Sequence, residues 1–293
     1  MNIPVVDIQH VVDRYLRSEA SASMVLMELL LLTEDPEELA GVLPTLDGDP
    51  ARLRELARHL AENEAGCHTI VRMIRQRLDS PELARDAEEG IERCRKLFDA
   101  SVAQSEESSV ALYSLGSPEL LAAATDEVIG VLEDWGVLGM RRDALEIGCG
   151  IGRLMAPVSS RVRSVVGTDV SSGMISAATR RLEGFANASV QMTTGQDLSE
   201  FDSGSMDLVY SVDAFPYLVL SGHALVERHF REVRRVLRPA GDFVLFNYAY
   251  GLSREDANGE VLALAHGAGL QVIRADESPF RIWNGIGWLM RRG

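Results

Sequence analysis

The chain has 293 residues, of which 46% are apolar and 25% are charged, so it is long enough for one large hydrophobic core or two modest ones. Its net charge of −15 at pH 7 opposes non-specific attraction to nucleic acid, because phosphate binding depends on lysine and arginine. We therefore expect a soluble protein of two unequal parts with no nucleic-acid partner.

The sequence contains no stretch typical of a membrane span or a secretion signal. The longest nearly apolar run, residues 24–32, includes Glu28 and falls far short of the about 18–20 residues that a helix needs to cross a bilayer. The first residues lack a basic region followed by an apolar run and a small-residue cleavage site. We expect cytoplasmic residence and no membrane partner.

The three cysteines, Cys67, Cys94 and Cys149, are odd in number and form no CxxC pair. This pattern suits neither a disulfide framework nor a zinc site, so we expect free thiols and no metal. Cys149 lies inside a glycine-rich stretch. A nucleophilic role is the less favoured alternative there, because no histidine lies near it in sequence.

Residues 1–100 show helical patterns and no sustained strand-like alternation. The pairs Asp35-Pro36, Asp49-Pro50 and Ser80-Pro81 each place a capping side chain before a proline, which is typical of helix starts. The pattern predicts roughly five short helices between residues 4 and 99, packed as a cap or bundle.

The run at residues 100–109 is polar and rich in serine, which favours a linker or the hinge of a mobile lid. We therefore predict a helical domain at residues 1–100, a linker or lid at residues 101–116 and a second domain at residues 117–293. The second domain opens with a predicted helix that starts at Ser117-Pro118.

The second domain is organised around residues 145–154, which read as a buried strand, then glycines at positions 148, 150 and 152, then a helix. Alternating glycines let the backbone approach a ligand closely with positive φ, and the N–H groups of a helix start attract anions. A dinucleotide fingerprint would have its third glycine at Arg153. The spacing therefore favours a nucleotide-like ligand without a pyrophosphate.

A second predicted strand, residues 164–169, ends in Asp169, 17 residues after Gly152. A carboxylate at this place in an open parallel sheet accepts hydrogen bonds from a ribose diol. Glu146 and Asp169 both end apolar strands, where a charge is costly unless it is paired. Ligand contact is the favoured interpretation for both residues, and a structural network is the alternative.

Further strands are predicted at residues 190–193, 206–211, 243–246, 270–275 and 286–290. In their order, these elements resemble the class I S-adenosylmethionine-dependent methyltransferases over residues 113–293. The resemblance is carried by the glycine loop, Asp169-Val170-Ser171, Gln196-Asp197-Leu198 and the run HFREVRRVLRPAGDFVLF. The chain departs from the family at Gln196, where an acidic residue is usual, and at Ala240, where glycine is usual.

The resemblance implies an α/β fold: a Rossmann-like, doubly wound, seven-stranded sheet with an antiparallel last strand, preceded here by an all-helical N-terminal domain. It also implies S-adenosylmethionine as the cofactor. The cofactor-binding residues that it implies are Tyr113, Glu146, Gly148, Gly150, Gly152, Asp169, Val170, Asp197, Leu198 and Ser211. For Tyr113, packing as a buried aromatic anchor is the favoured alternative.

Ligands in such sheets lie over the carboxyl ends of strands, so the methyl acceptor is expected after the fourth and fifth strands. Our catalytic candidates follow those strands, each with a surface or packing role as the alternative: Asp213, Tyr217, His223 and Tyr248. We expect methyl transfer to an O, N, S or C atom of a small molecule, in a pocket shaped partly by the helical domain. The alternatives are a protein or carrier-bound acceptor and a non-catalytic cofactor-binding partner subunit. A homodimer is left open.

Overall fold

The computed structural model describes residues 5–77 and 84–293, which fall into two compact units. The helical unit comprises residues 5–77, 100–127 and 280–284, and the sheet unit comprises residues 84–99, 128–279 and 285–293. This division differs from the predicted boundaries at residues 100 and 117. Residues 84–99 pack with the sheet and residues 100–127 with the helices, a long-range pairing that local composition does not reveal.

The helices and strands of the described residues have the following bounds. The helices are α1 Val5–Leu16, α2 Ala22–Thr33, α3 Pro36–Val42, α4 Pro50–Glu62, α5 Glu64–Arg77, α6 Ala87–Val102, α7 Glu106–Val110, α8 Pro118–Asp134, α9 Met155–Ser159, α10 Ser172–Arg181, α11 Phe215–Ser221, α12 His223–Val236 and α13 Arg254–Ala268. The strands are β1 Gly139–Ile147, β2 Val162–Asp169, β3 Ala188–Met192, β4 Met206–Val212, β5 Leu237–Phe246, β6 Leu270–Glu277 and β7 Gly287–Arg292.

Two of the predicted capping residues start helices of the helical unit. The Asp35 carboxylate accepts the N–H groups of Glu37 and Glu38 at the start of α3, both at 3.0 Å. Asp49 accepts the N–H of Ala51 at 2.8 Å at the start of α4. The predicted start at Ser80-Pro81 lies outside the described residues. Within the unit α2 lies at the centre of the core, because it is apolar on nearly all sides.

The segment predicted as a linker or lid, residues 101–116, is structured and contains α7. The Ser105 hydroxyl caps this helix by accepting the N–H of Ser108 at 3.1 Å, and the Ser109 hydroxyl donates to the Glu106 carbonyl at 2.7 Å. Ser108 and Ser109 are buried. Because serine bonds readily to nearby backbone, its abundance did not mark an exposed loop here.

The sheet unit contains the predicted seven-stranded sheet, in the order β3-β2-β1-β4-β5-β7-β6. The strands from β3 to β5 pair in parallel, and β7 runs antiparallel to both β5 and β6. The prediction of a doubly wound sheet with an antiparallel last strand is thereby confirmed. β1 and β4 are central neighbours, so the loops that follow them leave the same edge side by side.

Two local elements of the sheet unit differ from the sequence reading. α9 begins at Met155 and has only 5 residues, so it contributes little helix dipole behind the glycine loop. β5 begins at Leu237, six residues before the predicted start of this strand at residue 243. Met206 pairs with Leu237 and Leu208 with Asp242, so the residues between form a bulge, in which Ala240 has φ 62°.

Candidate cofactor and acceptor site

The glycine loop after β1 has a left-handed backbone at each of its glycines: φ is 71° at Gly148, 52° at Gly150 and 70° at Gly152. Residues with a Cβ rarely adopt such angles. The N–H groups of Gly148 and Cys149 both donate to the carbonyl of Thr168 at 2.9 Å, which holds the loop against the end of β2. A Cβ on Gly148 would lie 2.3 Å from the Cβ of Ala214, so the loop also touches the segment after β4.

Asp169 accepts one backbone hydrogen bond from the glycine loop and one from the segment that follows β2. The N–H of Gly150 donates to Oδ2 and the N–H of Ser171 to Oδ1, each at 2.9 Å. Burial raises the pKa of the Asp169 carboxyl above its ordinary value, against the effect of these donors and of the Val170 N–H. Each carboxylate oxygen has a further lone pair. Asp169 therefore fixes the loop and keeps lone pairs for a further donor, and its contact with a ribose stays a prediction.

Glu146 lies beneath the loop with only 2% of its surface exposed. The hydroxyl of Tyr210 donates to its Oε2 at 3.0 Å. Burial raises the pKa of Glu146 to about 8, and the Tyr210 hydrogen bond and the charge of Arg153 offset part of this effect. Tyr210 thus gives Glu146 a partner within the protein, as the alternative of a structural network expects. The contact of Glu146 with the cofactor stays a prediction.

Cys149 is buried inside the loop, and the described cysteines form no disulfide. Burial raises the pKa of its thiol well above the ordinary value, and the nearby carboxyls of Asp169 and Glu146 act in the same direction. A thiol that resists ionisation is a poor nucleophile. These surroundings favour the interpretation of Cys149 as a free structural thiol.

Val170 and Asp197 are the partly accessible members of the remaining predicted cofactor set. The Cγ1 of Val170 lies 2.7 Å from where a Cβ on Gly195 would stand, so it packs against the loop after β3. The Asp197 carboxylate accepts the N–H of Ser199 at 3.1 Å, and hydrogen bonds from the Ser199 hydroxyl first and then from this N–H hold the pKa of Asp197 below the ordinary value. Both residues stay cofactor-binding candidates.

Leu198 and Ser211 are buried, and both have partners within the protein. The N–H of Leu198 donates to Oε2 of Glu232 at 3.3 Å, and its side chain lies in the sheet-unit core. The Ser211 hydroxyl donates to the carbonyl of Ile147 at 3.0 Å, which joins the ends of β4 and β1. The observed contacts of Leu198 and Ser211 are therefore structural ones within the protein.

Tyr113 belongs to the helical unit, where it is 4% exposed. Its ring stacks on that of Trp283, with 6.1 Å between the ring centroids. This packing favours the alternative of a buried aromatic anchor over contact with the cofactor.

On the acceptor side, Asp213 and Tyr217 come together with Tyr250, and we call these three residues the acceptor cluster. The rings of Tyr217 and Tyr250 lie 5.9 Å apart in an edge-to-face arrangement. The pKa of the Tyr250 hydroxyl is raised, first by burial of the hydroxyl and then by the Asp213 carboxylate and Tyr217, to both of which it hydrogen-bonds. Asn247 donates its side-chain N–H to Oδ1 of Asp213 at 2.5 Å.

Tyr248 and His223, the other catalytic candidates, lie apart from these contacts. Tyr248 is 1% exposed in the sheet-unit core, and its hydroxyl donates to Oε2 of Glu260 at 2.7 Å. Burial raises the pKa of that hydroxyl above the ordinary value. His223 is exposed at the start of α12, where Nδ1 lies 3.5 Å from Oε1 of Glu227. These positions favour a packing role for Tyr248 and a surface role for His223 over a catalytic role.

Helix α6 reaches both halves of this site within the sheet unit. At its end, Asp99 accepts the Ser171 hydroxyl at 2.7 Å and the Gly173 N–H at 2.9 Å, which caps α10 beside Asp169. Near the acceptor cluster, the ring of Phe98 lies 4.8 Å from that of Tyr217. These contacts join residues about 70 to 120 positions apart, so no local sequence signal could have found them.

Tyr250 was not selected from the sequence as a candidate because two tyrosines lie close together after β5. The exit of β5 reads Asn247-Tyr248-Ala249-Tyr250, and both tyrosines are reasonable candidates from sequence. Asn247 has φ 64°, which turns the chain after the strand. The turn leaves Tyr248 in the core and Tyr250 at the site, 49% exposed. Asn often occupies left-handed positions in turns, so Asn247 itself was the signal in the sequence for a turn at this point.

Comparisons with known proteins agree with this geometry. A family model described as "Methyltransferase domain" matches residues 145–245. A Saccharomyces cerevisiae protein named "Probable S-adenosylmethionine-dependent methyltransferase CRG1" is 35% identical over 118 residues, which are 38% of this chain and 37% of that protein. The chain therefore spans little more than a third of the length of this curated relative.

Among solved structures, phosphoethanolamine N-methyltransferase 1 of Haemonchus contortus, in complex with phosphoethanolamine and S-adenosylhomocysteine, matches with a TM-score of 0.58. It is 18% identical, over 70% of this chain and 49% of that one, and so shows the likeness of the fold. The YcgJ protein of Bacillus subtilis matches with a TM-score of 0.44 and 21% identity, over 51% of this chain and 71% of that one.

The sheet order and the glycine loop define a Rossmann-like domain of the S-adenosylmethionine-dependent methyltransferase type. The family match over residues 145–245 identifies a methyltransferase domain in this part of the chain, and its likeness to an S-adenosylmethionine-dependent methyltransferase indicates S-adenosylmethionine as the cofactor. No cluster of His, Cys, Asp and Glu side chains in the described part of the chain has a metal-binding arrangement. Within the same residues, every helix is too short or too polar to cross a membrane.

Proposed function

We propose that this protein binds S-adenosylmethionine over the glycine loop and transfers its methyl group to a small-molecule acceptor. The observation that carries the proposal is the loop itself, whose left-handed glycines are fixed to the end of β2 and tied to Asp169 through the Gly150 N–H. It lies at the carboxyl edge of a methyltransferase sheet, where such folds bind their ligands.

Methyl transfer from a sulfonium requires a nucleophile in line with the sulfur–carbon bond. Positioning alone can supply on the order of 7 to 11 kcal/mol of such a barrier, so the protein needs few reacting groups. In this proposal the glycine loop and Asp169 hold the nucleoside. The acceptor cluster lies beside the loop, because Ala214 touches Gly148 and directly follows Asp213. Cofactor and acceptor are thereby brought together.

We assign the covering of the acceptor to α6, the part of the N-terminal hundred residues that packs with the sheet unit. A Cβ on Gly90 of α6 would lie 2.5 Å from the Cβ of Ser221 in α11, so helix backbones approach closely there. Ile91 packs beside Gly195 on the cofactor side. A cover of this kind excludes water from the reacting atoms.

The test has two stages on the full chain. Isothermal titration with S-adenosylmethionine is expected to give one binding site. The protein is then incubated with methyl-labelled cofactor and an extract of the source cells, which is filtered by size. Label in the low-mass fraction, dependent on the protein, is the expected result.

The other outcomes separate the alternatives. Label that stays with the macromolecular fraction would replace the small molecule with a protein or carrier-bound acceptor. Cofactor binding without transfer to any fraction would indicate a non-catalytic partner subunit. A folded sample that gives no heat with S-adenosylmethionine would overturn the proposal entirely.

A further inference from the structure

The acceptor cluster has a fixed backbone, which is unusual for a surface loop. Asp213 and Asn247 follow neighbouring strands, and both adopt left-handed φ angles, 61° and 64°. The Asp213 N–H donates to the Phe246 carbonyl at 2.9 Å, and the Asn247 side chain holds the Asp213 carboxylate. Left-handed non-glycine residues that lie side by side after two neighbouring strands are common at ligand sites, where the surrounding structure fixes the backbone.

The chemistry of the cluster is a carboxylate among aromatic rings. Tyr217 contacts Phe98 and Tyr250 edge to face, and the Tyr250 hydroxyl hydrogen-bonds to Asp213. Ring faces attract a cation within about 6 Å of the centroid, and a carboxylate accepts its N–H groups. The same carboxylate repels an acceptor that carries a carboxylate or phosphate at its reacting end.

From this arrangement we propose that the methyl acceptor is a cationic amine, received by the carboxylate of Asp213 and the rings of Phe98, Tyr217 and Tyr250. The inference rests on the proposed methyltransferase function and specifies its substrate class. Within it, Asp213 is the catalytic residue that touches the reacting nitrogen, and Tyr250 positions the Asp213 carboxylate.

The transfer step follows from this assignment. The bound ammonium first gives one proton to the Asp213 carboxylate, which frees the nitrogen lone pair. The lone pair then forms the new N–C bond while the S–C bond breaks, and its electrons remain on sulfur to give neutral S-adenosylhomocysteine. The methylated nitrogen carries the positive charge, and Asp213 releases its proton to water. The balance is one ammonium and one sulfonium giving one methylammonium, one thioether and one proton.

The test divides the low-mass extract of the source cells before any reaction takes place. A sulfonate resin at pH 7 retains the cationic pool, a quaternary amine resin retains the anionic pool, and the flow-through of both is the neutral pool. Each pool is incubated with the full chain and S-adenosylmethionine, and S-adenosylhomocysteine is quantified by mass spectrometry. The cationic pool is expected to give at least about ten-fold more product than the other two.

Variants connect the result to the cluster. Asp213→Asn keeps a side chain that tolerates left-handed φ and removes the proton acceptor, so we expect at least about a ten-fold loss of product from the cationic pool. Cofactor affinity should be unchanged, because the proposed cofactor residues Gly150 and Asp169 follow β1 and β2, whereas Asp213 follows β4. Asp213→Glu carries a backbone cost at this left-handed position but keeps a proton acceptor, so we expect it to be more active than Asp213→Asn. Asp202→Asn, at an exposed position of the same unit, is the matched control.

Activity with the neutral or anionic pool alone would overturn the amine assignment and leave the methyltransferase function standing. Full activity of Asp213→Asn with the cationic pool would overturn the role of Asp213. Absence of product from every pool, in a sample that is folded, would overturn the proposed function itself.

Discussion

The two halves of the candidate site are built from different materials. The cofactor half, after β1 and β2, consists mostly of backbone: positive-φ glycines, the Thr168 carbonyl and one carboxylate that accepts N–H groups. The acceptor half, after β4 and β5, consists of side chains from α6, the β4 exit and the β5 exit. We therefore expect the cofactor half to tolerate little change of backbone shape, and substitutions in the acceptor half to leave cofactor binding intact.

The largest effect on cofactor binding is expected for Gly148→Val. The new side chain would require left-handed φ and would meet Ala214, where even a Cβ approaches to 2.3 Å. Backbone strain of about 1–3 kcal/mol and overpacking of a similar size predict a loss of S-adenosylmethionine affinity of more than about 30-fold. Titration calorimetry measures it. Gly130→Ala, in α8 where an added Cβ meets nothing, is the control, and equal affinity in the two variants would refute this reading of the loop.

A second prediction concerns the raised pKa of Glu146, the buried carboxyl beneath the glycine loop. Its folded-state pKa of about 8 lies above the ordinary value of 4.5, so the protonated form contributes stability that is complete below pH about 4.5 and lost as pH rises through about 8. Between those values the free energy of unfolding of the wild type should fall relative to Glu146→Gln by up to about 1.4 kcal/mol per pH unit. Urea unfolding at pH 5.5 to 8 measures the difference, and a difference independent of pH would contradict the assignment.

The two tyrosines after β5 are expected to have different roles, Tyr248 in stability and Tyr250 in activity. Tyr248→Phe removes a buried hydroxyl bound to Glu260 and should lower the free energy of unfolding by about 1–3 kcal/mol, with transfer activity retained. Tyr250→Phe should show the reverse pattern, with activity lowered and stability nearly unchanged. Urea unfolding and product formation by both variants test the pair, and loss of activity in Tyr248→Phe alone would exchange their roles.

The smallest effect is expected for His223→Ala. The imidazole is 61% exposed and its partner Glu227 is also on the surface, so the ion pair contributes at most about 1 kcal/mol. Transfer rate and cofactor affinity should both stay close to those of the wild type. A large loss of rate in a steady-state assay would return His223 to the catalytic group.

The same contrast explains what the sequence could predict. Backbone-built features follow from short, ordered patterns, so the glycine loop and the succession of strands along the chain were predictable, and the acid at the end of β2 could be located. The antiparallel last strand followed from the family resemblance. Side-chain-built features depend on which distant elements meet. Tyr250 could not be distinguished from Tyr248 because a single left-handed residue, Asn247, decides which ring turns inward. Phe98 and Asp99 lie in a helix that composition assigned to another domain.

In our proposal the glycine loop and Asp169 together hold one S-adenosylmethionine, and titration calorimetry with Asp169→Ala measures what the carboxylate contributes. Loss of a charge-assisted hydrogen bond to the ribose should weaken binding by about 1.5–3 kcal/mol, roughly 10- to 150-fold, relative to the wild type. Asp202→Ala, with its exposed side chain, should bind as the wild type does. An Asp169→Ala variant that is folded and binds S-adenosylmethionine with unchanged affinity would contradict the account.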